Sequence, residues 1–496
     1  MRILLIHPAT GHYIKAPSVP LGALSIATYL KNHGYTVRIS DRCIKKERIT
    51  SLIKDFEPDV VGLSIMSAIG IKDAVKISQT VKRSGIPVMW GGHYPTFNYE
   101  VALTEGVADY VVLGEGEVTT LELLEKIEAC SPPEEISRVN GLAFLRDGKV
   151  EVTAQRDFMD PEDLPVIDYS LVDVPKYFQT WYGCKRMLYL YGSKGCPFSC
   201  NFCYNPAYNR SVYRKRKDED LFEEFDYLVN NHGMDGIYFT DDVFCPNKED
   251  LRKFCDKMKE KNYRKLSWGC QARIGQFDKD DFNLIYEAGG RWVFFGVETG
   301  SPEIQQKTGK KLRIDRVEED IRLAGEAGLI TVSSLILGFP DETKEQVKET
   351  IELAKRIDAD LYPCNIYTPH VEQELCQELI RQGRFTPPGT LKEHSKLKPT
   401  TDWYEGFSTL PRRDIMVIRS YFHWVSFTRN KKGPSQKPFE FAAKAINDTM
   451  INIFRFGLLS FISTTWYSFK TFISVVWNVF FFPRIRKEYD LYFKRK

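Results

Sequence analysis

The sequence predicts an α/β protein. A doubly wound, Rossmann-like amino-terminal domain (1–130) is followed by a linker (131–182), a partial (β/α)6 TIM-like barrel (183–384) and a mostly helical carboxyl-terminal region (385–496). Two observations predict this. Short β-rich apolar runs alternate with helix-length segments in two separate blocks, the signature of parallel sheets built from βαβ units. The alternation then stops near Arg384 and gives way to a tail rich in Phe, Trp and Tyr.

The first block places strands at Ile3 to His7, Val37 to Ser40, Val60 to Ser64, Val88 to Trp90 and Tyr110 to Leu113. Turn residues close each strand, as at His7-Pro8, Gly91-Gly92-His93-Tyr94-Pro95 and Gly114-Glu115-Gly116-Glu117, and in such a sheet ligands sit at these carboxyl ends. From Ser131 to Tyr182 the pattern loosens around a hairpin at Asp147-Gly148, which reads as a linker with little core of its own. The second block gives six strands, at Leu188 to Tyr191, Gly236 to Thr240, Leu266 to Cys270, Trp292 to Val297, Thr331 to Leu337 and Asp360 to Tyr367.

The 496 residues suffice for two or three domains with real cores, and a 43% hydrophobic and 27% charged composition is ordinary for folded protein. With 69 basic against 66 acidic residues the net charge is only +3, so no basic field marks a nucleic-acid partner. Eleven cysteines, an odd number, in a chain that opens Met-Arg-Ile-Leu-Leu predict reduced thiols, metal ligation and a cytoplasmic setting.

Three of those cysteines fall within eight residues, in Gly195-Cys196-Pro197-Phe198-Ser199-Cys200-Asn201-Phe202-Cys203, on a loop after the first strand of the second block. Closely spaced thiolates suit iron–sulfur ligation, and three ligands for four irons leave one iron open to a substrate group. A zinc site lacking its fourth ligand is the other use of such a triplet.

The C-x3-C-x2-C spacing of Cys196, Cys200 and Cys203, with aromatic Phe202 before the last, resembles the radical S-adenosylmethionine superfamily. The resemblance implies a [4Fe–4S] cluster on the three cysteines, S-adenosylmethionine (SAM) bound at the open iron and a 5′-deoxyadenosyl radical that abstracts a substrate hydrogen. It also implies SAM contacts from Phe202, from Asp241 and Asp242 at the second barrel strand, from Arg273 after the third, and from Glu298 in Gly296-Val297-Glu298-Thr299-Gly300. Leu337-Gly338-Phe339-Pro340-Asp341-Glu342-Thr343 resembles the family's Gly-Pro-Gly-Glu-Thr turn, with Asp341 in place of the usual Gly.

The first block resembles the cobalamin-binding domain that precedes many of these barrels. The cues are Pro20-Leu21-Gly22, Pro58-Asp59-Val60-Val61-Gly62-Leu63-Ser64, Trp90-Gly91-Gly92-His93 and Leu113-Gly114-Glu115-Gly116-Glu117. The implied cobalamin contacts are Ser64, Met66, Ser67, Gly91, Gly92, His93, Gly114, Glu115 and Glu117. No Asp-x-His-x-x-Gly occurs, so no histidine is expected beneath cobalt; the Ile65 to Ile69 loop is expected there instead.

Between Phe456 and Phe482 the only charge is Lys470. Ser460, Thr464, Ser468, Thr471, Ser474 and Asn478 share one helical side against an apolar other side, ahead of Arg484, Arg486 and Lys487. That pattern suits peripheral contact with the cytoplasmic membrane face, a helix packed on the barrel or on a second subunit, or a span. The resemblance implies a cobalamin-dependent radical SAM methyltransferase acting on an unactivated carbon of a small-molecule or lipid-like substrate, reduced by a donor such as flavodoxin or ferredoxin. Non-methylating ring formation or oxidation, as in anaerobic tetrapyrrole cyclases, is one alternative, and a cobalamin carrier or sensor without catalysis is another.

Overall fold

A computed structural model describes residues 1–10, 17–181, 183–263, 265–396 and 406–412, together with 414, 415, 418, 419 and 422. The amino-terminal sheet contains β1 (Arg2–His7), β2 (Thr36–Asp41), β3 (Val60–Ser64), β4 (Val88–Gly91), β5 (Tyr110–Val112), β6 (Leu142–Arg146) and β7 (Lys149–Val152), in the order β2-β1-β3-β4-β5-β6-β7. The first five are parallel, as the apolar runs predict. Leu4, Ile6, Val61 and Leu63 enter the core on one face, while Ile3, Leu5 and Val60 enter the core on the other. Burial on both faces is why these strands read as continuous apolar runs.

The expected linker 131–182 is corrected. Its hairpin becomes β6 and β7, which extend the amino-terminal sheet antiparallel from β5. Ala143 and Leu142 are fully buried on opposite faces of that sheet. Further on, Ile167, Tyr169, Val174 and Tyr177 are buried in the barrel core. A local turn pattern says that a hairpin forms but not which sheet edge it joins.

The second sheet begins with β8 (Gln179–Trp181) and β9 (Cys184–Leu190). It is followed by a short antiparallel ribbon, β10 (Ser193–Lys194) with β11 (Arg214–Lys215), and continues through β12 (Gly236–Phe239), β13 (Ser267–Ala272), β14 (Gly290–Glu298), β15 (Ile330–Leu337) and β16 (Cys364–Ile366). The order is β16-β15-β14-β13-β12-β9-β8: six parallel strands and an antiparallel β8 at one edge. This is the expected six-unit partial barrel, left open between β16 and β8. Helices Asp218–His232, Lys248–Lys261, Lys279–Glu287, Ile314–Glu326 and Lys344–Ile357 cover its outside. Capping boxes at Asp278 and Thr343 start two of them by satisfying otherwise orphaned backbone N–H groups.

The described part of the carboxyl-terminal region packs on both sheets and does not stand apart. Leu391 is buried in the amino-terminal core and its N–H donates to Glu105 at 2.7 Å. Leu410, Ile415, Ile418 and Phe422 are buried in the barrel core. The segment 456–482 lies outside the described residues. Among the described residues, no helix is long and apolar enough to cross a membrane.

Candidate active site

The cysteine loop leaves the barrel through β10. Gly195 has φ of +81°, and a Cβ there would collide with the carbonyl oxygen of Val212; only glycine opens this turn. The loop is pinned from three sides. The Cys196 N–H donates to Asn205 Oδ1 at 3.2 Å, and the Asn205 side chain donates in turn to Asp242 at 2.7 Å. The Tyr204 hydroxyl donates to the same carboxylate at 2.5 Å. Asn201 is held through its N–H to the Thr308 carbonyl (3.1 Å) and through its side chain to that of Lys307 (2.8 Å).

Cys200 is buried, and Cys196 and Cys203 are half-buried. Burial pushes the Cys203 thiol up to about 12 and raises that of Cys196, while a coordinated metal deprotonates the thiols that bind it. Three thiols on one loop, with Cys203 opening onto a cavity, are a donor set that fits an iron–sulfur cluster with one iron left for a ligand.

Arg273, just past β13, stacks its guanidinium 4.0 Å above the Phe198 ring and lies 3.8 Å from Cys200 Sγ. Glu298, the last residue of β14, is buried at φ of +66° and pairs with Lys310 at 3.1 Å. Phe202 packs edge-on to Phe339 at 5.6 Å. The acidic pair is already engaged. Asp241 accepts from the Gly192 N–H at 3.0 Å and from the Ser193 hydroxyl, and burial raises its carboxyl to about 7. Asp242 braces Tyr204 and Asn205, and burial raises it as well. Through these bonds the pair also buttresses the cysteine loop. Asp242→Ala is expected to weaken cluster retention roughly 10- to 100-fold, the usual cost of removing an outer-shell partner, read as iron content after gel filtration against an unchanged far-UV spectrum.

The carboxyl ends of β3 and β4 face this loop. Ser64 pairs with Gly91 in register, and Met66 stands 65% exposed beside Ser67. Gly92, at φ of +106°, lies so close to Ile65 that a Cβ would be 2.8 Å from its carbonyl oxygen. Such a glycine-only conformation costs other residues about 1–3 kcal/mol. At Gly114, φ is +71° and the space where a Cβ would stand is open. A flat ligand can approach the backbone at both places, and exposed Met66 lies at the cavity between the two sheets. Gly92→Ala is expected to lower cobalamin retention, measured by its visible absorbance after desalting, while leaving iron content intact.

Glu115 and Glu117, expected at the corrin, are engaged by protein groups in this structure. Glu115 pairs with Arg214 at 2.7 Å and Lys194 at 3.3 Å. Glu117 accepts from Ser25 at 2.7 Å and pairs with Lys194 at 3.4 Å. Against its burial, Lys194 and Ser25 hold the Glu117 carboxyl below its ordinary range. Both carboxylates thus clamp the amino-terminal domain to the ribbon that carries the cysteine loop. The motif shows the acids but not partners that lie 77 and 99 positions away. Tyr208 adds a hydrogen bond to the Gly114 carbonyl at 3.0 Å.

His93 meets the same loop, edge-on to Tyr204 at 4.8 Å, with Nε2 3.5 Å from Glu372. Burial, with His370 nearby, pushes its imidazole down to about 4. Between the two sheets lies a cavity of about 340 Å³ that Met66, Ser67 and His93 share with Phe202, Cys203 and Glu372. Glu372 and His370 carried no motif and were not anticipated.

Comparison with known proteins agrees with this arrangement. Residues 190–354 match the radical SAM superfamily and residues 9–124 match the B12 binding domain. The chain is 30% identical over 391 residues to an uncharacterized methyltransferase of Pyrococcus horikoshii, covering 77% of this chain and 83% of that protein. It is 28% identical over 395 residues to an anaerobic magnesium-protoporphyrin IX monomethyl ester cyclase of Cereibacter sphaeroides, covering 77% of this chain and 64% of that one. The fold superposes with a TM-score of 0.69 on the radical SAM methyltransferase TsrM from Kitasatospora setae, solved with tryptophan substrate and a SAM analogue bound. That match is at 18% identity and covers 86% of this chain and 89% of the other. With both domains matched in order and a relative shared over most of its length, the chain belongs to the cobalamin-dependent radical SAM enzymes, whose cofactors are a [4Fe–4S] cluster, SAM and cobalamin.

Proposed function

We propose that this enzyme is a methyltransferase acting on an unactivated carbon of a small molecule with a substantial apolar part. The observation that carries the reading is the single cavity bounded by Phe202 and Cys203 on one side and by Met66, Ser67 and His93 on the other. A substrate lodged there is within reach of both cofactor sites. When bound, the cluster with SAM supplies a hydrogen-abstracting radical and cobalamin supplies a methyl group.

The chain's own work is holding, orienting and excluding water. Cys196, Cys200 and Cys203 hold the cluster. Arg273 and Glu298, at adjacent strand ends, are placed to orient SAM, with Phe202 against it. Ser64, Met66, Ser67, Gly91, Gly92, Gly114 and His93 form the face for the corrin. A small reduced carrier, flavodoxin or ferredoxin, as electron donor and peripheral membrane contact through 456–482 belong to the same reading.

The test is incubation of the reduced holoenzyme with SAM carrying a deuterated methyl group. Labelled product alongside 5′-deoxyadenosine is expected. Deoxyadenosine with unlabelled product would favour the non-methylating chemistry that the 28% identity to a cyclase makes the second reading. No deoxyadenosine from the assembled enzyme would favour a carrier.

A further inference from the structure

The cavity between the sheets has an uneven charge. Among the described residues lining it there is no lysine or arginine, and its one carboxylate is Glu372. This side chain is only 4% exposed, on the turn that follows β16, where the His370 N–H donates to Gln373 Oε1 at 3.2 Å. The one basic group among the described residues within 4 Å of it is His93, which burial keeps uncharged. His370 and His394 are pushed down by burial too, so neither brings a positive charge at neutral pH.

A carboxylate buried without a cation is unfavourable, and here burial pushes it up to about 7. A cationic ligand would remove that cost. The walls suit one: Phe97, Phe202, Tyr204 and Tyr367 surround the same space, and aromatic faces attract an ammonium. An anionic ligand would meet the carboxylate with no lysine or arginine among the described lining residues to balance it.

We propose that Glu372, with His93 Nε2 3.5 Å away, is the specificity-determining group of the substrate pocket and takes a protonated amine carried by an otherwise apolar substrate. This rests on the reading of the cavity as the place of methyl transfer, and it narrows that reading to a substrate class.

The test uses the full chain loaded with cluster and cobalamin, and three probes of one shape: 3-phenylpropylamine, 3-phenylpropanol and 3-phenylpropionate. Affinity is measured by calorimetry, with no turnover needed. The amine is expected to bind about tenfold or more tightly than the alcohol, as a charge-assisted hydrogen bond in a dry site allows, and the carboxylate least. Glu372→Gln should bring the amine down to the level of the alcohol without changing the alcohol's own affinity. Equal binding of amine and alcohol, or a preference that survives Glu372→Gln, overturns the proposal. So does a variant that loses cobalamin or SAM affinity while keeping the amine preference, because Glu372 would then serve a cofactor. Deuterated-methyl transfer is scored separately. Methylation without amine preference sinks this inference alone, and amine preference without methylation sinks the transferase reading alone.

Discussion

Cys200→Ala is expected to abolish radical formation. Deoxyadenosine production should fall by more than about a hundredfold, beyond the 10- to 100-fold that loss of an outer-shell group typically costs, and cluster iron should fall with it. The loss should be chemical and not a failure to fold. The backbone around Cys200 is held by Asn201 to Thr308 and by the Cys203 N–H donating to the Cys200 carbonyl at 3.1 Å, and none of these bonds uses the thiol. Thermal unfolding of the variant should therefore match that of the parent stripped of iron. Cys255→Ala supplies the contrast. Cys255 is fully buried in the barrel core, so its loss should lower the melting temperature through a small cavity while leaving iron content unchanged. If the Cys200 variant keeps its iron and still makes deoxyadenosine, the assignment of the ligands is wrong.

The largest effect on stability is expected at Glu224. Its carboxylate, on helix Asp218–His232, is ion-paired with Arg216, and the two side chains are 1% and 3% exposed. It also accepts from the Ile167 N–H at 2.8 Å and from the Tyr169 hydroxyl at 3.3 Å. Glu224→Ala would leave a buried guanidinium without its counter-charge and two donors without an acceptor. Breaking a buried pair in this way costs about 3–5 kcal/mol. Denaturant unfolding should show a lower midpoint, and limited proteolysis should show earlier cleavage near residue 167, where the segment between the sheets is fastened to the barrel. A loss below about 1 kcal/mol, the level of an exposed ion pair, would show that Glu224 is not the fastening.

How much of this was legible in the sequence depended on distance along the chain. Parallel strands buried on both faces read as apolar runs, so Ile3 to His7 and Trp292 to Val297 stand where the pattern put them. The cysteine triplet needs only eight consecutive residues. Other features required a partner far away. Asp147-Gly148 shows a hairpin but not that Leu142 would pair with Val112. Glu115 and Glu117 show no partner in the motif, and the structure sets Arg214 and Lys194 against them. Asp241 looks like a free acid until Gly192 and Ser193 close on it. Glu372 was invisible for the opposite reason: what distinguishes it is the lack of a cation around it among the described residues, a property of the cavity and not of any local motif.

The Lys194 and Arg214 clamp has a consequence for how the enzyme is assembled. The ribbon that carries the cysteine loop is fastened to the same turn that carries Gly114, so the two cofactor sites share a mechanical joint. Any factor by which a seated corrin tightens the loop's hold on iron must return, in equal measure, as tighter corrin binding once iron is in place. Maturation of the protein therefore has no thermodynamically privileged order. Where that factor exceeds one, supplying either cofactor in excess helps recruit the other.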